Sequence, residues 1–436
     1  MQSIRINIFP KKSITKYGSY LFLLGVFFLP SSLIIGILFL LPALIIGSFS
    51  NKKAYFKDYW NYPFLIFSLL ILLSGLLQNS FLINNYPEIW NPKLSLIGLG
   101  NWLPFVWVFW GIQPYLDSKS KRISFGLILI AGTLPVLITG FGQYFFNWTG
   151  PLKTLNGLII WYQRPIINPG GLSGLFNNQN YAGSWLNFVW PFCLASILKK
   201  GNNIFRKFII LGFLFSTGFS AFLTFSRNAW LGLITSFPLV FGKKGIKFLL
   251  PLLILGLVLI LILFSPHFAG ELQKNLRNLI PEKILLEFLE DGYEGLDSTR
   301  ISIFKNAIEI VKRNPLFGTG ATSFTEIFFS KTNFWKGHSH NLLLELSISY
   351  GLPSSILFFS TITSILIISS KNIFLNKHIL EISFFDRAFW AAVFTFLVSQ
   401  LFDIQYFDGK ISLIFWILIA GLKNIIEEKR IENPLK

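Results

Sequence analysis

The residues best suited to chemistry lie in four short polar segments that interrupt long apolar stretches. They are Arg227 in Thr-Phe-Ser-Arg-Asn, Arg300 after Asp-Ser-Thr, His338 and His340 in Lys-Gly-His-Ser-His-Asn, and an amide-rich turn at 177–180. An ionisable side chain beside an apolar run is costly to bury unless it is paired or hydrated, so such positions are candidates for function. Together the segments offer fixed positive charges, groups that titrate near neutral pH and neutral hydrogen-bonding groups.

The two arginines suit the binding of phosphate. A guanidinium is planar and can hold two oxygens at once. Arg227 is the only charged residue in the stretch 208–242, and Ser226 precedes it. Arg300 falls in the first turn of a predicted helix, where the helix dipole disfavours a cation. The alternatives are an Arg227 that snorkels to the membrane interface and an Arg300 that forms a salt bridge with Asp297.

The two histidines suit acid–base chemistry. The chain has four histidines, and His338 and His340 stand just before a predicted helix that begins at Asn341. Two residues separated by one position cannot share a helical face, so one imidazole should point into the mouth of the bundle. A general base is the favoured role, because imidazole titrates near neutral pH. A metal pair is a weaker alternative, because His-x-His supplies only two ligands, and an interfacial histidine without chemistry is a third.

The amide-rich turn is a candidate for binding sugar hydroxyls or phosphate. Asn178 and Asn180 flank Gln179 where a predicted span begins. Neutral amides both donate and accept hydrogen bonds, which suits such ligands. The alternative is a helix cap followed by a loop.

The composition predicts the elements that must position these residues. Of 436 residues, 53% are hydrophobic and 13% charged, whereas a soluble domain carries about 25% charged residues. A transmembrane helix needs about 20 apolar residues. We therefore predict an all-α, polytopic transmembrane bundle of about twelve spans. The predicted spans are 18–31, 33–49, 61–78, 95–115, 123–142, 181–198, 207–225, 228–242, 247–265, 342–369, 387–403 and 411–426.

The distribution of charge predicts the orientation. Most of the 38 basic residues fall in alternate segments between spans, which by the positive-inside rule places both termini in the cytoplasm of a plasma (inner) membrane protein. The net charge of +18 is thus explained by topology, and no nucleic-acid partner is predicted. The chain divides into N-terminal spans at 1–265, a long extracytoplasmic helical loop at 266–340 and C-terminal spans at 341–436.

The long loop is predicted to contain an amphipathic helix that packs over the external mouth of the bundle. Asp297 or Ser298 can cap this helix, and Asn314-Pro315 ends it. A loop this long with structure of its own is usually functional. The apolar residues at helical spacing are Ile301, Phe304, Ile308 and Val311.

Common cofactor and metal motifs are missing from the sequence. It contains no Walker loop, no Gly-rich dinucleotide fingerprint, no His-Glu-x-x-His and no Asp-x-Asp. The single cysteine, Cys193, excludes an internal disulfide and a multi-cysteine metal site. We therefore predict no cofactor and no metal.

The order of the motifs resembles the O-antigen ligase and polymerase superfamily. They are Ser226-Arg227, Arg300 with the downstream Asn-Pro-Leu-Phe-Gly-Thr-Gly of 314–320, His338-Ser339-His340-Asn341, and the Tyr-Gly-Leu of 350–352. Gln179 stands where the family pattern has proline. The resemblance implies a large extracytoplasmic loop and transfer of a glycan from a polyprenyl diphosphate carrier to an acceptor hydroxyl, without metal. It also implies that Arg227 and Arg300 contact the diphosphate and that His340 is the base.

The leading hypothesis is a membrane glycosyltransferase. Its partners would be the polyprenyl diphosphate-linked glycan donor, a glycolipid or glycan acceptor such as lipid A-core or a growing polysaccharide, and the lipid bilayer. A bicarbonate transporter or transport-associated protein is the alternative, and a membrane scaffold is a third hypothesis. The predicted catalytic residues are His340, Arg300 and Arg227, and the predicted substrate-binding residues are His338, Asn341, Asn178, Asn180 and Ser226.

Overall fold

The structure, a computed structural model, is a bundle of helices. It describes residues 11–85, 92–167, 170–199, 203–264, 270–279, 300–375 and 384–432. The predicted helix cap at Asp297 or Ser298 lies outside these residues.

In the first part of the chain, every predicted span coincides with one helix or with two helices in succession. Where a span is divided, proline stands near the start of the second helix, at Pro104 and Pro135, because proline lacks a backbone donor and suits the first helical turn. The helices are α1 (Lys11–Phe28), α2 (Leu33–Ser50), α3 (Asn61–Asn85), α4 (Pro92–Leu99), α5 (Leu103–Gly111), α6 (Lys119–Gly132) and α7 (Leu134–Phe146).

In the rest of the chain the predicted spans again coincide with helices, and the predicted loop helix is present. These helices are α8 (Gln179–Leu198), α9 (Ile204–Leu223), α10 (Arg227–Phe241), α11 (Lys243–Phe264), α12 (Glu271–Leu279), α13 (Arg300–Arg313), α14 (Ser323–Thr332), α15 (Leu342–Ser370), α16 (Phe384–Ser399) and α17 (Gly409–Glu432).

Seven segments of the described residues are long and apolar enough to cross a membrane. Each coincides with a predicted span, and the other predicted spans coincide with shorter helices or fall below that threshold. The helical membrane class is therefore confirmed, and the count of twelve remains a prediction. The seven are Leu33–Ser50, Leu94–Gly111, Lys119–Phe146, Gln179–Leu198, Ile204–Leu223, Leu342–Phe374 and Gly409–Glu428.

Two local expectations were wrong. The fold is not purely helical, because strands β1 (Leu152–Thr154) and β2 (Ile159–Trp161) form an antiparallel hairpin. The loop helix α13 forms as predicted, but its buried face is rotated away from Phe304, which is 46% exposed. The buried residues of α13 are Ile303, Ala307, Ile310 and Val311.

Helix α15 is broken at Gly351, which has φ 86°. A Cβ at this position would lie 2.0 Å from Leu316 O, so only glycine fits. The segment that follows α13 supplies the missing hydrogen bonds, because Thr319 N donates to Ile348 O at 2.6 Å and Leu352 N donates to Pro315 O at 2.7 Å. Irregular backbone among membrane helices is tolerated when its polar groups are satisfied in this way.

Helix α17 runs through the centre of the bundle and is the most buried of the seven long apolar segments. Trp416 on α17 packs edge-on against Phe64 of α3, and its indole N–H donates to Tyr406 Oη at 2.8 Å. Tyr406 stacks on Trp102, with ring centroids 4.5 Å apart. This aromatic core holds the loop between α16 and α17 in a defined position.

Candidate active site

His340 and Asp403 form a hydrogen-bonded pair at one end of the bundle. His340 Nδ1 lies 2.8 Å from Asp403 Oδ1. His340 immediately precedes α15, and Asp403 lies in the loop that follows α16. We call this the His340 end, which comprises the starts of α8 and α15 and the loop 400–408.

The cap of α15 fixes His340. The side-chain oxygen of Asn341 accepts a hydrogen bond from Leu344 N at 3.0 Å, which satisfies a free donor of the first turn. The amide of the same side chain donates to Leu401 O at 3.0 Å. Residue His340 itself has φ 54°, a left-handed conformation that is uncommon for a residue with a side chain. The cap thus ties the start of α15 to the loop that carries Asp403.

Asp403 is held from several sides. Asn180 at the start of α8 donates to Asp403 Oδ2 at 3.0 Å, and Gln405 donates to the same oxygen at 2.8 Å. Burial alone would raise the pKa of the Asp403 carboxyl, but the hydrogen bond to His340 and the charges of both imidazoles outweigh burial and lower it. Asp403 is therefore an ionised acceptor, and His340 donates its Nδ1–H to it. That leaves His340 Nε2 with a lone pair.

His338 lies against His340, with ring centroids 4.5 Å apart and the rings steeply inclined. Burial and then the neighbouring His340 lower the pKa of His338 to about 4, against a smaller opposing effect of Asp403. His338 Nδ1 accepts a hydrogen bond from His340 N at 3.2 Å. His338 is therefore neutral near pH 7, with its proton on Nε2.

Together, the two histidines and Asp403 offer three possible metal ligands, whereas the sequence suggested only two. One ligand atom each from His338, His340 and Asp403 lies within 4.8 Å of the others. However, a metal-binding imidazole usually binds the metal through one ring nitrogen and donates the N–H of the other. In His338, Nδ1 accepts a hydrogen bond. Its Nε2 therefore carries the proton and has no free lone pair for a metal. This arrangement favours a hydrogen-bonded network over a metal site.

The residues of the amide-rich turn have two different roles. Asn178 caps α8, because its side-chain oxygen accepts from Asn180 N at 2.9 Å and from Tyr181 N at 3.0 Å. Gln179 accepts a hydrogen bond from Gly171 N. Asn180 alone turns its side chain to Asp403. The alternative of a helix cap therefore describes Asn178, and Asn180 belongs to the site.

Arg227 lies at the His340 end. Ser226 is buried, and Arg227, the first residue of α10, is exposed. A Cβ on Gly183 would lie 2.8 Å from Ala229 Cβ and 3.3 Å from Ser226 Cβ. The first turn of α10 therefore packs against α8 at Gly183, about one turn away from Asn180.

Arg300 is the exposed first residue of α13. Helix α13 packs on Leu344 and Ile348 in the first half of α15, and the segment after α13 contacts the break at Gly351. Helix α13 therefore lies along the half of α15 that begins beside His340. The convergence of Arg227 and Arg300 on one phosphate group remains a prediction.

Asp403 is the residue that sequence reasoning missed. The predicted span 387–403 counted it as the end of a helix, whereas α16 ends at Ser399. An available signal was overlooked, because Asp403 is an acid between two apolar stretches, the same criterion that selected Arg227.

The comparison with protein families agrees with the motifs. The family model described as O-antigen ligase matches residues 211–359, about a third of the chain. The match contains Arg227, Arg300, His338 and His340, whereas Asn180 and Asp403 lie outside it. No curated protein matches the chain. The match therefore confirms the resemblance to the O-antigen ligase and polymerase superfamily, a group of membrane glycosyltransferases, that the motifs predicted.

Proposed function

We propose that the protein transfers a glycan from a polyprenyl diphosphate carrier to an acceptor hydroxyl, with His340 as general base. The single observation that supports this most directly is the 2.8 Å contact between His340 Nδ1 and Asp403 Oδ1. A carboxylate in this position holds the imidazole in one tautomer and stabilises the imidazolium that forms. The acceptor would be lipid A-core or a growing polysaccharide.

In the proposed reaction, His340 Nε2 takes the proton from the acceptor hydroxyl. The hydroxyl oxygen then forms a bond to the anomeric carbon of the glycan, and the bond from that carbon to the diphosphate oxygen breaks. The electron pair of the broken bond stays on the diphosphate, which leaves on its lipid carrier. Positive groups aimed at the leaving group stabilise this charge best in a poorly hydrated site.

Arg227 and Arg300 are proposed to bind the diphosphate. Both side chains are exposed, and both stand at the first residue of a helix. A helix N-terminus also presents backbone N–H groups to an anion. Each arginine would thus act together with the start of its own helix.

The predicted substrate-binding residues are proposed to act in two ways. Some border the pair of His340 and Asp403, and the others position their neighbours. His338 and Asn180 border the pair, with His338 keeping a proton on Nε2 for donation. The amides of Asn341 and Asn178 are engaged in helix caps, so they would position neighbouring residues. Ser226 is buried beside Arg227 and would do the same.

The site is proposed to face the outside of the plasma (inner) membrane, with both termini in the cytoplasm. The positive-inside distribution supports this orientation. In that orientation 266–340 is an extracytoplasmic loop between the spans of 1–265 and those of 341–436.

One observation favours the alternative of an anion transporter. Transporters often bind their substrate at a break in a membrane helix, and α15 is broken at Gly351. Here, however, the carbonyls of Ile348 and Ser349 accept hydrogen bonds from Thr319 and Gly320. The break therefore serves as the docking point for the segment after α13.

Incubating the purified full-length protein with a polyprenyl diphosphate-linked glycan and candidate acceptors, and identifying products by mass, tests the proposal. Arg300→Ala should abolish transfer, whereas Arg313→Ala should not. Arg313 is a matched control, because it is exposed at the other end of α13 and pairs with Glu309. Equal activity of the two variants would remove Arg300 from the mechanism, and absence of product with every acceptor would leave transport as the better function.

A further inference from the structure

The hairpin of strands β1 and β2 carries large apolar side chains on its surface. We call residues 148–162 the β-hairpin. Leu155 at its turn is 68% exposed, and Leu158 is 59% exposed. Exposed apolar side chains that are grouped on one segment mark a contact with lipid or with another protein. The other large apolar residues that are exposed in or beside the β-hairpin are Phe145, Phe146, Trp148, Leu152, Tyr162 and Ile167.

One side of the β-hairpin is fastened to the helices. Gln163, the residue after it, is buried and donates its side-chain amide to Thr139 O of α7 at 2.8 Å. Trp161 of β2 donates its indole N–H to Ser31 O in the turn between α1 and α2. The β-hairpin therefore has a fixed position between α7 and the turn between α1 and α2.

The level of the β-hairpin along the bundle follows from α8. Trp185, six residues after the start of α8, donates its indole N–H to Thr133 Oγ1 at 3.1 Å. The start of α8 therefore lies about 9 Å beyond Thr133, and Thr139 lies about 9 Å beyond it along α7, at 1.5 Å per residue. Gln143, one turn further, donates to Ser173 Oγ at 2.9 Å in the segment before α8. The β-hairpin thus lies beside the start of α8, where an apolar span begins.

The lipid-facing surface of α7 continues onto the β-hairpin. Leu134 and Ile138 are 45% and 51% exposed within a span. Gly142 follows at the same spacing of four residues, so all three lie on one helical face. A Cβ on Gly142 would lie 2.0 Å from Trp148 Cε3, and the Trp148 side chain is still 49% exposed. The Trp148 ring therefore extends the lipid-facing surface at the last turn of α7.

The polar groups of the β-hairpin fit the headgroup layer of a membrane. A hairpin of two strands leaves backbone groups at its edges unpaired, which excludes it from the hydrocarbon core. Residues 147–167 contain Lys153 and Arg164 but no acid, and both basic side chains are exposed. Tryptophan, tyrosine and basic residues together are typical of the interface between membrane and water.

The turn of the β-hairpin has a residue that a turn in water would not favour. Leu155 has φ 49°, and Asn156 has φ 54°. This left-handed conformation is common for asparagine but unusual for a bulky apolar residue. A leucine that is both unfavourable for the turn and largely exposed suits a contact outside the chain.

We propose that the β-hairpin is a membrane-interface anchor in the leaflet at the His340 end. Its backbone lies in the headgroup layer, and Leu155 and Leu158 contact the acyl chains of that leaflet. The level of the β-hairpin, its continuity with the lipid-facing surface of α7 and its basic charge select the bilayer over a partner protein.

The anchor would set the height of the His340 end above the hydrocarbon. Gln143 donates to Arg164 O at 2.7 Å and to Ser173 Oγ at 2.9 Å, so one side chain joins the base of the β-hairpin to the segment that leads into α8. This inference goes beyond the proposed function and does not depend on glycan transfer.

The test measures depth in the bilayer. The full-length protein is reconstituted into liposomes with a nitroxide on Leu155→Cys or, in a second variant, on Leu158→Cys. The native Cys193 is fully buried, so the introduced cysteine takes the label. Power-saturation electron paramagnetic resonance compares collisions with oxygen, which partitions into lipid, and with nickel ethylenediaminediacetate, which stays in water.

Two control positions set the scale. Leu38 is 65% exposed within the span of α2, and the side chain of Lys52, just after α2, is 77% exposed. Because Leu155 is similarly exposed, differences in the ratio of oxygen to nickel collisions report the surrounding medium. The ratio at Leu155→Cys and at Leu158→Cys should lie above that of Lys52→Cys and below that of Leu38→Cys.

Three other outcomes would overturn the inference. A ratio equal to that of Lys52→Cys would place the turn in water, and one equal to that of Leu38→Cys would place it in the hydrocarbon core. Few collisions with either reagent would mean that protein covers the turn. In that case, spectral broadening that disappears on dilution with unlabelled protein would identify a second copy of the chain as the cover. Both turn side chains are exposed, so labelling leaves the packed core unchanged.

Discussion

The two ends of the bundle both contain buried charged groups, but they use them differently. At the end opposite His340, Lys423 and Asp58 form an ion pair at 2.5 Å, with side chains 3% and 1% exposed. Arg122 at the same end pairs with Asp386 and with Glu428. At the His340 end, Asp403 is 10% exposed but the imidazole of His340 is 29% exposed.

The comparison indicates how to distinguish a structural ion pair from a reactive group. A buried cation that is paired with carboxylates holds together the helices that carry them, and removal of one partner is strongly destabilising. In the pair of His340 and Asp403, by contrast, one imidazole nitrogen is engaged and the side chain of His340 is 29% exposed. The same kind of contact therefore has a structural role at one end and a proposed chemical role at the other.

The largest expected effect is on catalysis at the His340 end. His340→Gln removes the proposed base, and transfer should fall by about 10²- to 10⁴-fold, the usual contribution of general base catalysis. The initial rate of glycan transfer measures this, with the unfolding temperature as a check on folding. His338→Gln is the control and should lose far less, because His338 already carries its proton on Nε2. A larger loss in His338→Gln than in His340→Gln would identify His338, and not His340, as the base.

The next effect is on stability at the opposite end. Lys423→Met leaves Asp58 buried without its cation and should cost about 3–5 kcal/mol of folding free energy. Thermal unfolding in detergent measures the loss. Lys52→Met is the control, because Lys52 is 77% exposed in its pair with Asp117 and surface pairs contribute about 0–1 kcal/mol. Equal losses in the two variants would contradict the comparison.

A smaller effect on catalysis should follow from Asp403→Asn. The amide keeps the shape but loses the charge that stabilises the imidazolium, so transfer should fall about 10²-fold, within the range for general acid–base groups. A rate equal to that of the unaltered protein would remove Asp403 from the mechanism.

The smallest expected effect is on the pH dependence of stability. The pKa of His338 is lowered to about 4 in the folded chain, from about 6.5 in an unfolded one. Between these values His338 binds more protons in the unfolded chain, so its contribution to stability should decrease as the pH falls from about 6.5 to about 4. His340 and Asp403 are the titratable groups that contact His338, and the lowered pKa of Asp403 places its own loss of stability below this range.

Thermal unfolding at a series of pH values measures this dependence. The difference in unfolding temperature between the unaltered protein and His338→Gln should change by a few degrees across the range, because the variant lacks the contribution of His338. An unchanged slope in His338→Gln would mean that another group titrates.

The sequence predicted the positions of the long helices well, whereas the chemical roles of the candidate site residues remain predictions. Apolar runs mark helices because each span must satisfy its own backbone hydrogen bonds in lipid. The break at Gly351 and the hairpin at 152–161 escaped prediction, because both depend on contacts between segments far apart in the chain. The exposure of Phe304 on α13 also escaped prediction, since helical spacing alone does not fix which positions face the neighbouring helix.

By itself, the sequence determined that this is a helical membrane protein with histidines beside a span and with motifs that resemble the O-antigen ligase family. Composition and local motifs carry that information, because a lipid environment and a helix cap act on neighbouring residues. Only the tertiary structure decided that Asp403 is the partner of His340, 63 positions away, and that Asn180 holds the same carboxylate. Partners of this kind depend on how helices pack, and packing brings together residues whose spacing along the chain carries no periodic signal.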